Sequence, residues 1–159
     1  MTEEISNETV KSAIQVAARS LARTEQCRAS LERKLRQKEF DENSICQALD
    51  FLEKKRYLDD ERYASSWVRN HCAFKPQGSI RLIRELCVRG VSKDIATRVV
   101  KSYFETVDET ELCHLAFQKL VSKNKSEQKI IKSLADSGFS YKIIQWVFKN
   151  KEGFDSGAE

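Results

Sequence analysis

Long hydrophobic runs, prolines and glycines are all scarce in this chain of 159 residues. Nowhere do eighteen apolar residues follow one another, which excludes a membrane-spanning helix. One proline and five glycines leave few helix breakers, and the many Lys, Glu, Leu, Arg and Ala residues favour helix over strand. Because the acidic N-terminus also lacks the apolar segment of a secretory signal, we expect a cytoplasmic protein with no membrane attachment.

Metal-binding and catalytic patterns are missing as well. The five cysteines include no Cys-x-x-Cys pair, and a zinc site that needs four ligands would have only two histidines, His71 and His114, to draw on. The chain contains no glycine-rich phosphate loop, nucleophile elbow or His-Glu-x-x-His helix. We therefore predict a non-enzymatic protein with no catalytic residues, no metal and no cofactor, and we interpret its cysteines mainly as buried, reduced thiols.

What the chain does contain is a threefold repeat of apolar positions. In each copy, five apolar residues are separated by intervals of four, five, five and four residues. Identical intervals in three copies indicate internal repeats of one helical unit. The three sets are Leu31, Leu35, Phe40, Ile45 and Leu49; Leu82, Leu86, Val91, Ala96 and Val100; and Ile130, Leu134, Phe139, Ile144 and Phe148.

Residues typical of helix ends surround the middle position of each set. Gly90 and Gly138 precede it in two copies, at the place where a helix ends in a left-handed residue. Glu39 holds that place in the first copy and should cost about 1 kcal/mol relative to glycine. A good helix N-cap follows the middle position in every copy: Asp41, Ser92 and Ser140.

Another amphipathic helix precedes each of these helix pairs, so the repeated unit has three helices. We predict an all-α fold of three tandem three-helix repeats, residues 7–55, 57–104 and 107–150, followed by a flexible tail at 151–159. Units of about fifty residues are marginal alone and must share surface with their neighbours. We expect them to stack into an elongated, curved body, present as a monomer, whose concave face suits a larger partner.

Basic residues recur in register along the repeats. Arg33, Arg84 and Lys132 occupy the same position in the middle helix of the three copies, and Arg81 and Arg89 lie on the same helix as Arg84. A row of cations suits phosphates or an acidic protein groove. Solubilisation of an exposed helix face explains the pattern equally well, and charge balance between basic and acidic helices remains a further alternative.

Two stretches of the middle repeat have a distinctive sequence. They are Tyr57-Leu58-Asp59-Asp60-Glu61-Arg62-Tyr63-Ala64 and Gly78-Ser79-Ile80-Arg81-Leu82-Ile83-Arg84-Glu85-Leu86, the second followed by Arg89-Gly90-Val91. Together they resemble the RecX family of bacterial regulatory proteins, and the similarity extends over roughly residues 17–148. The family commonly has glycine where this chain has Glu39 and Arg56, a difference that concerns the geometry of two turns.

The resemblance implies three three-helix units and a negative modulator of the RecA recombinase, acting in homologous recombination, DNA repair and the SOS response. Such proteins bind along the groove of the RecA filament on single-stranded DNA and limit filament growth, strand exchange, ATP hydrolysis and co-protease activity. The resemblance also implies a signature with a mainly structural role: Tyr57, Asp59, Asp60, Arg62 and Tyr63. We assign contacts with the filament or its DNA to the recurring cations: Arg33, Arg81, Arg84, Arg89 and Lys132.

A protein that acts through single- or double-stranded DNA alone is the main alternative, because three-helix units resemble helix-turn-helix modules. A base-reading helix is usually rich in Arg, Asn or Gln. The third helices instead carry Ile45-Cys46-Gln47-Ala48 and Ile95-Ala96-Thr97-Arg98, which look more like packing faces. A generic helical scaffold for another protein is a further alternative.

Overall fold

All regular secondary structure in the described part of the chain is α-helical. A computed structural model describes the backbone of residues 2–150 and the side chains of residues 8–150. None of its helices is both long and apolar enough to cross a membrane. The helices are α1 (Thr2–Leu21), α2 (Arg28–Arg36), α3 (Glu42–Lys54), α4 (Asp60–Phe74), α5 (Ser79–Arg89), α6 (Lys93–Thr106), α7 (Glu109–Val121), α8 (Glu127–Asp136) and α9 (Tyr141–Lys149).

The all-α repeat class predicted from the sequence is confirmed. The start of α1 differs from residue 7, the predicted start of the first repeat. This helix begins at Thr2 rather than at Asn7. The predicted flexible tail, residues 151–159, lies outside the described residues.

The chain forms two compact units. The first unit comprises the chain up to Ala64 together with Leu86–Ile95, and the second comprises Ser65–Glu85 together with the chain from Ala96 onward. Each unit has a core of buried side chains. In the first, the core residues are Ala13, Ala17, Leu31, Leu35, Ile45, Ala48, Leu49, Leu52 and Leu58. In the second, they are Cys113, Phe117, Ile130, Leu134, Phe139, Ile144 and Val147.

The repeated apolar positions form the buried face of the helices. Every residue of the three sets is buried except Phe40 and Phe148, which are half-buried. Burial of one side chain of this size stabilises a fold by about 1.5–3 kcal/mol. The two intervals of five residues in the middle of each set span the turn between two helices, so that both helices turn their apolar residues toward the core.

The turn after the second helix has one conformation in all three repeats. Its left-handed residue is Glu39, Gly90 or Gly138, with φ of 61°, 101° and 88°, respectively. The residue that follows donates its backbone amide to a carbonyl five positions earlier: Phe40 to Leu35 at 3.3 Å, Val91 to Leu86 at 3.1 Å and Phe139 to Leu134 at 3.3 Å. These hydrogen bonds close the helix end.

The predicted N-caps are confirmed. Oδ1 of Asp41 accepts a hydrogen bond from the amide of Ser44 at 2.9 Å. The hydroxyls of Ser92 and Ser140 accept longer bonds, of 3.4 and 3.3 Å, from the amides three residues later. Arg56, two residues after the end of α3, also has a positive φ, of 58°.

We predict that Glu39→Gly stabilises the protein, because glycine adopts a positive φ without the steric cost of a Cβ atom. The free energy of unfolding, measured by chemical denaturation, should rise by about 1 kcal/mol. Gln37→Gly is the matched control, since Gln37 is exposed and has an ordinary helical φ of −62°. That variant should lose stability. Equal losses in the two variants would contradict the strain assigned to Glu39.

Candidate partner-binding surfaces

The signature segment, residues 57–63, joins α3 to α4 in the first unit. Oδ1 of Asp59 accepts hydrogen bonds from two backbone amides of the first turn of α4, both at 2.9 Å. Oδ1 of Asp60 accepts a hydrogen bond of 2.7 Å from the backbone amide of Arg28, the first residue of α2. Adjacent carboxylates therefore cap two different helices. We call the second contact, from α4 to the start of α2, the carboxylate joint.

Arg62 holds the turn that precedes α4. Its Nε donates to Oε1 of Glu25 at 2.6 Å, and its two terminal nitrogens donate to the backbone carbonyls of Arg56 and Tyr57, both at 3.0 Å. These carbonyls belong to the turn in which Arg56 has a positive φ. By donating hydrogen bonds to these carbonyls, Arg62 stabilises a turn that contains a residue with a positive φ.

The two signature tyrosines have different surroundings. Tyr63 is half-buried, and this burial raises the pKa of its hydroxyl, whereas a hydrogen bond with Arg89 opposes the rise. Tyr57 is 63% exposed. Of the five signature residues, all but Tyr57 have side chains engaged within the first unit.

The second unit repeats the carboxylate joint with different residues. Oδ1 of Asp108 accepts a hydrogen bond of 2.8 Å from the amide of Thr110 and so caps α7. Oε1 of Glu109, the next residue, accepts a hydrogen bond of 2.7 Å from the amide of Ser79, the first residue of α5. Asp108 thus corresponds to Asp59, because each caps the helix that follows it. Glu109 corresponds to Asp60, because each accepts a hydrogen bond from the first amide of a preceding middle helix.

Next to each carboxylate joint, the backbone at the end of one helix lies close to the backbone at the start of another. In the first unit, Sγ of Cys27 donates to the carbonyl of Arg89 at 3.2 Å, and a Cβ atom on Gly90 would overlap Cβ of Ala29. In the second unit, the amide of Gly78 donates to the carbonyl of Ser137 at 2.9 Å. The end of one middle helix therefore lies against the start of another in both units.

Most of the recurring cations are exposed. In the first unit these are Arg33 on α2 and Arg89 at the end of α5; in the second unit they are Arg84 on α5 and Lys132 on α8. Arg33, Arg84 and Lys132 form no ion pair with any residue that the structure describes. Their guanidinium and ammonium groups are therefore available to a partner.

Arg81 differs from the other recurring cations because its side chain is engaged. Its Nε donates to Oε1 of Glu85 at 2.7 Å, and a terminal nitrogen donates to the backbone carbonyl of Asp136 at 3.0 Å. A Cβ atom on Gly138 would overlap the backbone and Cβ of Arg81. Within the second unit, Arg81 connects α5 to the C-terminal end of α8.

The structure also brings together cations outside the set that the sequence analysis assigned to partner contacts. Four of them line one cavity of about 220 Å³ between α1 and α2, with Val16 and Ser20. They are Arg19, Arg23, Lys34 and Lys38. Arg19 and Lys34 lie in the last turns of α1 and α2, and Arg23 and Lys38 lie two residues after those helices end. The signal in the sequence is the spacing of four residues within each pair.

The cysteines differ in burial. We expected most of the five to be buried, and three of them are. Cys27, Cys72 and Cys113 are buried, Cys87 is half-buried and Cys46 is exposed. Burial raises the pKa of the Cys113 thiol to about 12, which leaves it protonated and unreactive at neutral pH. Among the described side chains, no three Cys, His, Asp or Glu residues are grouped in a way that could hold a metal ion.

Two family models match successive parts of this chain. One, described as RecX, first three-helix domain, matches residues 13–52. The other, described as RecX, second three-helix domain, matches residues 59–100. The second match begins at Asp59 and therefore includes most of the signature segment.

Curated relatives and solved structures agree with these matches. The Regulatory protein RecX of Clostridium botulinum (strain Eklund 17B / Type B) is 33% identical over 148 residues, which cover 89% of this chain and 69% of that protein. The Regulatory protein RecX of Chlorobaculum tepidum is 31% identical over 150 residues, which cover 91% of each chain. The fold is similar to that of RecX from Lactobacillus salivarius, with a TM-score of 0.81 and 24% identity over 91% of this chain and 97% of the other.

We predict that Asp60→Asn and Asp60→Ala have different effects on stability at neutral pH. Asparagine keeps an oxygen acceptor for the amide of Arg28, whereas alanine loses the cap and should lower the free energy of unfolding by about 1 kcal/mol. Burial raises the pKa of Asp60, and the charge of Glu53 adds to the rise, while the hydrogen bond from Arg28 opposes it. Ionising this carboxyl in the folded state is therefore costly.

The pH dependence of Asp60→Asn tests this cost. Because the pKa of Asp60 is higher in the folded than in the unfolded state, its stabilising contribution is complete below the unfolded pKa and is lost as the pH rises through the folded pKa. The stability of the asparagine variant relative to the parent should therefore increase with pH across that window. Denaturation curves measured at several pH values check this, and a relative stability that falls as the pH rises would contradict it.

Proposed function

Because this chain belongs to the RecX family of regulatory proteins, we propose that it is a negative modulator of the RecA recombinase. It binds in the groove of the RecA filament on single-stranded DNA and inhibits filament extension, and with it ATP hydrolysis, strand exchange and co-protease activity. It acts as a monomer in the cytoplasm, by binding and without a cofactor. Residues 7–55, 57–104 and 107–150 are the three repeats that provide the binding surface.

The observation that carries this proposal is the match to two successive domains of one regulatory family, over residues 13–52 and 59–100. The signature residues support it, because Asp59, Asp60 and Arg62 hold the junction between those two domains. Exposed cations without an ion-pair partner among the described residues, such as Arg84 and Lys132, are what a binding protein requires. Its action on RecA rests on the family membership.

Binding alone is sufficient to inhibit an assembling filament. A ligand shifts an equilibrium by its differential affinity for the two states, and a protein seated across neighbouring filament subunits disfavours the addition of the next subunit. Cations such as Arg33, Arg84 and Lys132 supply attraction to phosphates or carboxylates of the filament and accelerate the encounter. No chemical step is needed.

We assign the recurring cations to two roles. Arg33, Arg84, Arg89 and Lys132 are exposed, and we propose that they contact the filament or its DNA. Arg81 positions α5, since Glu85 and the carbonyl of Asp136 accept its hydrogen bonds. Its contribution to binding therefore comes through the placement of Arg84 on the same helix.

We predict that the purified protein slows ATP hydrolysis by RecA on single-stranded DNA at substoichiometric amounts in low salt. Arg84→Glu should raise the amount needed for half-inhibition by about fivefold or more, which corresponds to a loss of about 1 kcal/mol of binding free energy. The reason is that the reversed charge repels the surface that the arginine contacts.

Lys101→Glu is the matched control for this titration. Lys101 is exposed on α6 and forms no ion pair with any described residue, so that variant has the same change in net charge at a position outside the recurring set. It should inhibit like the parent protein. Absence of any inhibition by the parent would reject the proposed function, and equal inhibition by all three proteins would reject the role of Arg84.

A further inference from the structure

Two exposed aromatic residues and three exposed cations lie together where α3 ends. Phe51 and Lys54 belong to α3, and Lys55, Arg56 and Tyr57 follow in the connection to α4. Tyr57 is 63% exposed and Phe51 is 42% exposed. We call these five residues, all of which belong to the first unit, the α3-end patch.

We infer that the α3-end patch binds an acidic segment of a partner protein, and that this segment carries an aromatic side chain. The cations of the patch would attract the carboxylates of the segment, and its rings would supply apolar contact area. This goes beyond the proposed function, because none of the five residues belongs to the recurring cations to which we assign contacts with the filament or its DNA. Tyr57 is, moreover, the signature residue whose side chain is not engaged within the first unit.

The connection that carries the patch is longer than the fold requires. Residues 55–59 connect α3 to α4, whereas residues 107–108 alone connect α6 to α7. Each connection ends in a carboxylate, Asp59 or Asp108, that caps the following helix, and a carboxylate joint comes next in both cases. The shorter connection therefore fulfils the same structural roles without the exposed residues of the patch. Contact with a partner explains why the longer connection has them.

The positive charge of the patch is not compensated within the described chain. Lys54, Lys55 and Arg56 form no ion pair with any residue that the structure describes. The nearest carboxylate in the sequence belongs to Glu53, which is bound by Arg28 at 2.6 Å. The patch therefore complements a negatively charged segment and accelerates its encounter with the protein.

Contacts on the inner side of the connection hold its backbone in place. Leu52 and Leu58, on either side of the exposed residues of the connection, are buried in the core of the first unit. The amide of Tyr57 donates to the carbonyl of Leu52 at 2.9 Å, and Arg62 donates to the carbonyls of Arg56 and Tyr57. Because these contacts exist before a partner arrives, less conformational entropy is lost when it binds.

The aromatic residues of the patch favour a peptide over a nucleic acid. Single-stranded nucleic acids usually stack successive bases on aromatic rings. The ammonium group of Lys55 lies over the ring of Phe51, 5.9 Å from its centroid, and this cation–π contact occupies one face of the ring. Tyr57 then remains as the ring on which a base could stack freely. Tyr, Phe and Arg are, by contrast, enriched at the centres of protein interfaces.

The test measures binding of a fluorescein-labelled peptide of glutamates with one central phenylalanine to the full chain, by fluorescence anisotropy at low salt. The parent protein should bind this peptide about tenfold more tightly than the same peptide with a central alanine. Tyr57→Ala should weaken binding of the phenylalanine peptide about tenfold, because alanine lacks the apolar contact area of the ring. No binding by the parent, or equal affinity for the two peptides, would overturn the inference.

Arg56→Gly tests the contribution of charge and also serves if Tyr57→Ala does not fold. Glycine adopts the positive φ of residue 56 without strain, so this variant removes a cation at no cost to folding. Its affinity for the phenylalanine peptide should fall about fivefold. The remaining affinity should also depend less on salt than that of the parent. An affinity equal to that of the parent would overturn the inference.

Tyr141→Ala is the matched control for the loss of the ring, because Tyr141 is 64% exposed and lies on α9 in the second unit. Lys101→Ala is the control for the loss of charge, since Lys101 is exposed on α6 and has no ion-pair partner among the described residues. Both variants should bind the phenylalanine peptide like the parent. Equal losses in Tyr141→Ala and Tyr57→Ala would overturn the inference.

The same variants distinguish two other occupants of the patch. If Tyr57→Ala weakened binding of a labelled oligothymidylate as much as binding of the peptide, the occupant would be a nucleic acid. If the parent sedimented as a dimer and Tyr57→Ala as a monomer, the occupant would be a second copy of the chain. Either result would overturn the inference. Because RecA is absent from every arm, none of these outcomes depends on the proposed regulation.

Discussion

The first amides of α2 and α5 have no acceptor in their own helices, and a carboxylate from a later helix satisfies one of them in each case. Asp60 reaches back 32 residues to Arg28, and Glu109 reaches back 30 residues to Ser79. A helix start without such a partner leaves several backbone donors unsatisfied. These two contacts tie the start of a middle helix to the helix that opens the next repeat, so the placement of the surface side chains on α2 and α5 depends on them.

The charges of the chain divide into those that hold these junctions and those that remain available. Arg28, Arg62 and Arg81 are engaged by carboxylates or backbone carbonyls, so their contribution is to position helices. Cations such as Arg84 and Lys132 have no such partner among the described residues. A modest net charge of +4 therefore conceals a local excess of unpaired positive charge. That excess, carried on helices, is the physical basis for the binding that we propose as the mode of action.

Local features of this fold were predictable from the sequence, and long-range pairing was not. The apolar intervals identified the buried faces, and the N-caps and the left-handed Gly90 and Gly138 followed from residue preferences within one turn. Which cations are free depends on contacts such as that of Arg81 with the carbonyl of Asp136, 55 residues away, and periodicity does not encode these. For the same reason the cations assigned to partner contacts included the engaged Arg81 and left out Arg19 and Lys38. The family resemblance supplied the partner, which no single residue indicates.

A double-mutant cycle between Ala29 and Gly90 most directly tests the contact between the start of α2 and the end of α5. A Cβ atom at residue 90 would overlap Cβ of Ala29, so Gly90→Ala should be strongly destabilising in the parent protein and less so when residue 29 is glycine. The free energies of unfolding of the four proteins should give a coupling energy of about 1–3 kcal/mol, favouring the double variant over the sum of its single changes. Additive effects of Ala29→Gly and Gly90→Ala would show that the two helix ends are not in contact and would contradict the account.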